Sequence, residues 1–533
     1  MITIDLRRLG TGLGLAAFLL GSTAASAKTL VFCSEGSPEN FTPAMNTTGT
    51  SLDAARPVFD QLVEFERGST KLKPGLAESW DISPDGLTIT FHLRKGVKFG
   101  ATKDFKPTRD FNADDVIWSF DRQYNEKNPY NKVSGGKFDY YSDMDMPKLV
   151  KEWEKKDENT VILHLNEPNV PILANLAMDF GTIQSAEYAD ALMKKGKPEQ
   201  FDQVPVGTGP FVFSSYQKDA VIRFKANPTY WGGKPAIDDL IFAITADATA
   251  RVSKLKAGEC QVAAYPRPAD LPELQKDAAL DLMSQPGLNI GYMAFNVKKP
   301  PLDKKEVRIA LSMAIDKAAI IKEVYGEAGQ PAKNLIPPTL LGYNNDIQDY
   351  AFDTAKAKSM LEAAGVKTPI DMDLWYMPVQ RPYNPNAKRV AEMMQSDLAK
   401  IGVNVKLVTY EWGEYRKRLQ NGEHMLGQLG WTGDNGDPDN FFFLLGCAAA
   451  RDGGQNLSKW CNKDFDADME KAKSVTDTAE RAKLYQQMQV IAHDDQPEMN
   501  IAHSVVYVPV NKKVTDYKIS PLGRFQFDGV DIK

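Results

Sequence analysis

The chain has 533 residues, 64 Lys and Arg against 70 Asp and Glu for a net charge of −6, and 43% hydrophobic and 10% aromatic residues. At about 150 residues per domain this length implies three to four structural units, and the composition excludes a disordered chain, a collagen-like repeat or a disulfide-dense miniprotein. Without a basic excess there is little to neutralise a phosphate backbone, which argues against nucleic acid as the main partner.

Arg7 and Arg8 precede an apolar run over residues 9–20, and Ala25-Ser26-Ala27 is the small-x-small pattern a signal peptidase accepts. Residues 1–27 are therefore expected to be an export signal cleaved after Ala27, since the run falls short of the roughly 20 apolar residues of a membrane span. Loss of Asp5, Arg7 and Arg8 leaves −7 over 506 residues, and no cysteine follows the cut to carry a lipid. Export brings four cysteines into an oxidising compartment, where they can close two bridges. Cys447 and Cys461, fourteen apart, are expected to pair locally, which leaves Cys33 with Cys260. A zinc site built from the four lacks the short C-x2-4-C knuckle.

Residues 87–93 alternate apolar and polar behind the turn Ser83-Pro84-Asp85-Gly86, which predicts a strand with His92 on its solvated face. Asn112 with Asp114 and Asp115 opens a helix, residues 161–165 form a second strand, and Gly207-Thr208-Gly209-Pro210 breaks the chain before a third. Residues 289–297 read as a buried strand and 307–324 as one long helix. From residue 370 the pattern becomes β-α-β: a strand over 370–376, a helix through Val390, Met394 and Leu398 that Gly402 ends, and a strand over 403–407. Such a unit implies a parallel pair with a right-handed crossover. A helix over 413–420 and a strand over 425–431 follow. Ligands in such sheets bind at the carboxyl ends of strands, so the loops after Tyr376 and Trp431 are the places to search.

The first loop holds Arg381-Pro382-Tyr383-Asn384-Pro385 and the second Thr432-Gly433-Asp434-Asn435-Gly436-Asp437-Pro438-Asp439. If the strand order sets them side by side, the Arg381 guanidinium and the Asp434 carboxylate face each other across a cleft rimmed by Trp431 and Tyr383. Arginine takes a carboxylate through two parallel hydrogen bonds and aspartate accepts from an ammonium, so the pair suits a small zwitterion. Two extended residues span about 7 Å, which would let the charge spacing measure peptide length. Spacing alone favours blander roles: a turn cap for Asp434, and solvent or a structural ion pair for Arg381. A calcium loop over 434–439 would need oxygen donors where Gly436 and Pro438 stand. His92, His164, His424, His493 and His503 show no metal-binding spacing, and no nucleophile elbow or Walker pattern occurs. No metal, cofactor or catalysis is expected.

Pro74-Gly75-Leu76-Ala77-Glu78-Ser79-Trp80, Ser83-Pro84-Asp85-Gly86 and Phe91-His92-Leu93-Arg94-Lys95-Gly96-Val97-Lys98-Phe99 resemble the signature of the family 5 solute-binding proteins of ABC transporters. Phe111-Asn112-Ala113-Asp114-Asp115-Val116, Gly207-Thr208-Gly209-Pro210-Phe211 and Tyr230-Trp231-Gly232 resemble further family blocks. Cys33-Ser34-Glu35-Gly36-Ser37-Pro38-Glu39, Met377-Pro378-Val379-Gln380-Arg381-Pro382-Tyr383 and Gly430-Trp431-Thr432-Gly433-Asp434 are similar to the family's dipeptide-binding branch.

The resemblance implies an α/β, two-lobe, type II periplasmic-binding-protein (Venus-flytrap) fold with an extra subdomain in the first lobe. Residues 28–60, 209–287 and 506–533 would form lobe I, 61–208 the subdomain, 296–499 lobe II, and 288–295 with 500–505 the hinges. It further implies a monomeric periplasmic receptor, not an enzyme, that closes on dipeptides and delivers them to inner-membrane ABC permease subunits. In that role Asp434 pairs with the peptide ammonium and Arg381 with its carboxylate, while Tyr383, Trp431, Thr432, Gly433, Ser34, Glu35, Gly36 and Ser37 line the site. Cys33–Cys260 and Cys447–Cys461 are the disulfides it suggests. The same scaffold takes oligopeptides, nickel chelates, opines, 5-aminolevulinate or haem in other members; keeping both Arg381 and Asp434 favours a short zwitterion. An exported hydrolase acting on peptides or glycans is the rival from another class.

Overall fold

The computed structural model describes residues 27–533, so the expected export signal, but for Ala27, lies outside the described residues. Strand Glu498–Asn511 runs through two half-sheets of one 12-stranded sheet and belongs to both. Its later residues pair with Leu280–Pro286 and Val262–Ala263, beyond which lie Thr29–Ser34, Asp239–Ile244, Val221–Ala226 and Phe211–Gln217 in order. Its first residues pair with Asn289–Phe295, followed outward by Leu426–Thr432, Ile370–Trp375 and Val403–Val408. Each half-sheet is the centre of one lobe. The chain passes from one to the other at 287–288, and the long strand does so between Ser504, paired with Gly329, and Val505, paired with Pro286. Strand Asn289–Phe295, which the expected 288–295 hinge overlaps, is laddered along its whole length to Leu426–Thr432 and sits inside the second lobe.

The alternating patterns at 87–93 and 161–165 form Thr88–Leu93 and Thr160–Leu165, neighbours in a separate four-stranded antiparallel sheet with Ala77–Ile82 and Val150–Asp157 at its edges. Ile89, Phe91, Leu93, Val161, Leu163 and Leu165 are buried while His92 is half-buried on the other face, its Nε2 2.8 Å from Asp81 Oδ2. Helix Ala113–Tyr124 packs on this sheet, with Phe120 stacked on Trp153 at 4.3 Å. It starts in a capping box: the Asn112 side chain accepts from Asp114 N–H at 3.0 Å, and Asp115 accepts from Asn112 N–H at 3.1 Å.

In the second lobe, Ile370–Trp375 and Val403–Val408 are parallel, joined by helix Ala387–Ala399, whose Val390, Met394 and Leu398 are fully buried. Gly402, at φ 79°, takes the left-handed turn after the helix that a side chain would resist. The long helix expected over 307–324 is interrupted. Helix Lys305–Ala314 ends at Ile315, which is extended, and Asp316 caps a new start by accepting from Ala319 N–H at 2.9 Å. The apolar period runs on across the break, but aspartate prefers an N-cap to a helix interior. Both expected disulfides are present: Cys33 bonds Cys260 with Cα atoms 5.8 Å apart, and Cys447 bonds Cys461 at 4.6 Å. Among the described residues no helix is long and apolar enough to cross a membrane.

Candidate functional site

Strand Leu426–Thr432 lies parallel beside Ile370–Trp375, so the loops leaving their carboxyl ends are neighbours. The first loop is fixed through Tyr383. Gly291 and Gly430 are paired across two adjacent strands, and a Cβ on Gly430 would stand 2.2 Å from the Tyr383 ring, one on Gly291 2.2 Å from the Tyr383 carbonyl oxygen. Two missing side chains thus make a bed on which Tyr383 lies, and the Tyr325 hydroxyl holds its carbonyl at 2.8 Å. Arg381 is tied to the same turn by two backbone bonds with Asn384, at 3.2 and 3.0 Å.

The Arg381 guanidinium is buried. Its Nη2 donates to Thr50 Oγ1 at 3.1 Å, its Nη1 lies 3.5 Å from Glu35 Oε1, and Thr50 donates to that same oxygen at 2.7 Å. Its Cζ is 5.3 Å from the centre of the Trp412 ring and 5.9 Å from that of Tyr265, a cation between aromatic faces. Burial works against its charge most strongly, but Glu35, Tyr265, Tyr383 and Asp53 together, Glu35 foremost, hold its pKa above the ordinary arginine value. Glu35 also acts on Arg251, a buried guanidinium whose hydrogen bonds all go to backbone carbonyls of Thr245, Ala246, Ala264 and Tyr265. Glu35 is the main carboxylate for two buried guanidiniums, with the exposed Asp247 adding to it at Arg251 and Asp53 more weakly at Arg381, and this end of the site carries an excess of buried positive charge.

The other end has the opposite imbalance. Asp434 Oδ2 accepts from the Tyr140 hydroxyl at 2.8 Å, its N–H donates to Asn440 Oδ1 at 2.8 Å, and its carbonyl accepts from Arg524 Nη2 at 2.8 Å. Among the described residues nothing donates to Asp434 Oδ1. Asp179 takes Arg56 through two bonds of 2.8 Å, and Arg56 also pairs with Asp53. Asp434, Asp179 and Asp53 thus face Arg56 and Arg524, three carboxyls against two guanidiniums. Burial, only partly offset by Tyr140 and Arg524, raises Asp434 to about 6, and burial raises Asp53 to about 7 against the pull of Arg56. A ligand ammonium would supply the missing positive charge.

Both ends open on one cavity, about 850 Å³ when the solvent space at its mouth is included. Arg381, Tyr383, Trp431, Thr432 and Asp434 all line it. Trp431 is held by its Nε1 on Asn440 at 3.0 Å and by edge contacts with Tyr140 and Phe443. Gly433 and the 34–37 turn do not line it. Gly433 sits where a Cβ would meet the Phe441 ring at 2.7 Å, and its N–H donates to Leu288. Ser34 is buried at a strand end, Gly36 packs on Thr50, Ser37 exchanges hydrogen bonds with Asp219, and Glu35 acts through Arg381. The first lobe's wall is made by Thr47, Thr48, Gly49, Leu52 and Arg56 instead. Tyr140, 294 residues before its partner Asp434, Tyr265 and Trp412 were invisible to motif reading, since nothing local marks them. Among the described residues no three His, Cys, Asp or Glu side chains gather as a metal site.

The family model for bacterial extracellular solute-binding proteins, family 5, middle part, matches residues 71–452. The chain belongs to this family. Among its relatives, the dipeptide-binding protein of Escherichia coli (strain K12) is 54% identical over 534 residues, 99% of this chain and 100% of that protein. The crystal structure of a dipeptide-binding protein from a Pseudoalteromonas species in complex with Met-Leu matches with a TM-score of 0.91 at 38% identity, over 95% of this chain and 100% of that one. A periplasmic binding protein of Helicobacter pylori in complex with the peptide STSA matches with a TM-score of 0.91 at 36% identity, over 95% and 98%. These family 5 folds share the two-lobe arrangement described above.

Proposed function

We propose that this chain is a periplasmic receptor that captures dipeptides by lobe closure and hands them to an ABC importer, without catalysis. The observation that carries the reading is the opposed charge imbalance at the two ends of one cavity: Arg381 and Arg251 over Glu35 at one, Asp434, Asp179 and Asp53 over Arg56 and Arg524 at the other. A free dipeptide is the zwitterion that corrects both, with its carboxylate on Arg381 and its ammonium on Asp434. The names and bound peptide of the Escherichia coli and Pseudoalteromonas relatives support it. Residues 1–27 act as the cleaved export signal, the receptor works as a monomer, and its closed form docks on the permease.

The second lobe carries both charged anchors, and the first brings Thr47, Leu52, Arg56 and Tyr265 against them. The hinges are the two crossings, where the buried Asn289 side chain accepts from Ser504 N–H at 2.9 Å and Gly287 N–H donates to the Ser504 carbonyl at 2.9 Å. Closure desolvates both ends of the peptide, which strengthens each charge pair, while water in the remaining space accommodates different side chains. The shift toward the closed state is bounded by the peptide's extra affinity for it.

Calorimetry on peptide-free protein with Ala-Ala, its N-acetyl and C-amide forms, and a tetrapeptide tests this. Each blocked form should bind at least about 30-fold more weakly, the low end of the cost of unpairing a buried charge. An acetylated dipeptide that binds as tightly as the free one would refute the Asp434 role, and equal binding of the tetrapeptide would refute length selection by the two anchors. Intact Ala-Ala should be recovered afterwards; turnover beyond one equivalent would identify a hydrolase.

A further inference from the structure

A second cavity, about 430 Å³ when the solvent space at its mouth is included but with little room inside, lies in the second lobe and shares no lining residue with the peptide cleft. It is enclosed by helix Thr478–Asp495, the start of strand Glu498–Asn511, and residues 333–335. Four of the residues that line it carry a buried polar atom with no protein partner: Glu498 Oε1, Asn334 Oδ1, Asn500 Oδ1 and His493 Nε2. Glu498 is 6% exposed and Asn334 2%. Asn334 donates its Nδ2 to the Asn344 carbonyl at 2.8 Å, which turns its oxygen the other way, and His493 is stacked on Tyr350 at 4.6 Å. Neither oxygen of Glu498 accepts a hydrogen bond among the described residues.

Unsatisfied buried acceptors cost about 1–3 kcal/mol each, more when charged, and native interiors seldom keep them together. The charged neighbours do not relieve Glu498. Lys333 spends its ammonium on the Asn345 carbonyl, and Asp349 is paired with Lys317. Burial alone pushes Glu498 up to about 8, with no compensating charge. With Glu498 ionised the three oxygens are all acceptors, so what they then lack is a donor or a cation, which would displace the Glu498 proton, and the cavity has space for a single water-sized particle. One carboxylate with two amide oxygens is a donor set for a hard ion that completes its shell with water, not for a transition metal.

We propose that this cavity binds one small, oxygen-liganded cation of the sodium or calcium class, held by Glu498, Asn334 and Asn500. The ion would fasten helix Thr478–Asp495 to the second-lobe end of the strand that continues through the hinge into the first lobe. With one carboxylate in the set, binding should be weak, in the roughly 0.1–1 mM range of low-charge calcium sites or weaker for sodium.

The test is thermal unfolding of the whole mature protein, stripped with chelator, in NaCl, CaCl2 or choline chloride at equal ionic strength. Sodium or calcium should raise the melting temperature above choline, saturably, and Glu498→Gln should abolish that difference while melting at or above the wild type in choline. Which salt acts distinguishes the two ions. Equal melting in all three salts, or an ion effect that survives in Glu498→Gln, overturns the proposal and leaves a water-filled cavity. Should Glu498→Gln fail to fold, Asn500→Ala should lose the ion-specific rise, and its persistence there is equally fatal; for calcium, equilibrium dialysis that finds less than about 0.1 ion bound per chain at 10 mM, far below what a site of about 0.1–1 mM affinity predicts, excludes that ion.

Discussion

Asp434→Asn should make the peptide-free protein more stable and the receptor nearly inert. Asparagine keeps the shape and, through its Oδ1, the acceptor for the Tyr140 hydroxyl, so the charge is what is removed. The ionised Asp434 is costly in the empty cavity, because burial outweighs Tyr140 and Arg524 and lifts its pKa from 3.8 to about 6. That difference corresponds to about 3 kcal/mol between the folded and unfolded chain. A carboxyl whose folded pKa is raised contributes stability that is complete below its unfolded pKa and lost as pH rises through the folded value. Wild type should therefore lose up to about 3 kcal/mol from this group between pH 4 and pH 7.5, and Asp434→Asn should not. Other buried acids such as Asp53 and Glu64 titrate in both proteins, so the difference between the two isolates Asp434. Urea unfolding of peptide-stripped protein across this pH range should show equal stability near pH 4 and an advantage of about 1–3 kcal/mol for Asp434→Asn at pH 7.5. Calorimetry at pH 7.5 should show Ala-Ala binding weakened by about 2–5 kcal/mol. A variant that is less stable than wild type at pH 7.5, or that binds Ala-Ala within threefold of it, would show that Asp434 is a structural cap and not the unsatisfied end of a binding site.

Wild-type affinity for Ala-Ala should fall about tenfold per pH unit below about 6, where Asp434 takes up its proton, as calorimetry in a pH series would show. Tyr140→Phe removes a bond that favours the Asp434 carboxylate, so the midpoint of that fall should move upward; an unmoved midpoint would separate Tyr140 from the site. Arg381→Lys keeps a charge but loses the fork that holds Thr50 and faces a carboxylate, and should weaken binding at least about tenfold, with Arg381→Ala costing about 2–5 kcal/mol. Gly430→Ala drives a methyl to 2.2 Å from the Tyr383 ring and should cost about 1–3 kcal/mol in urea unfolding together with a loss of affinity, because the loop bearing Arg381 must shift.

Local periodicity was enough to place the β-α-β unit from Ile370 to Val408, the strands at 88–93 and 160–165, and the start of helix Ala113–Tyr124, because their signals lie within a dozen residues of one another. It carried the helix expected over 307–324 straight through Asp316, since an apolar stripe does not register that one carboxylate can restart a helix. Ser34, Gly36 and Ser37 belong to the motif that marks the family branch, yet none of them lines the cavity, whose wall on that side includes Thr47, Thr48 and Gly49.

The sequence by itself determined which two loops flank the cleft and which strands carry them, because both are properties of short, contiguous stretches. It could not decide the meaning of Arg381 and Asp434: an arginine beside prolines and an aspartate among glycines look the same whether they cap a turn or hold a ligand. Tertiary structure supplied the ground on which we propose a ligand role for both, by bringing Glu35 and Arg251 to one residue and Tyr140, Arg524, Arg56, Asp53 and Asp179 around the other. Charge balance is a sum over neighbours in space, and in this protein most of those neighbours lie more than a hundred residues away along the chain.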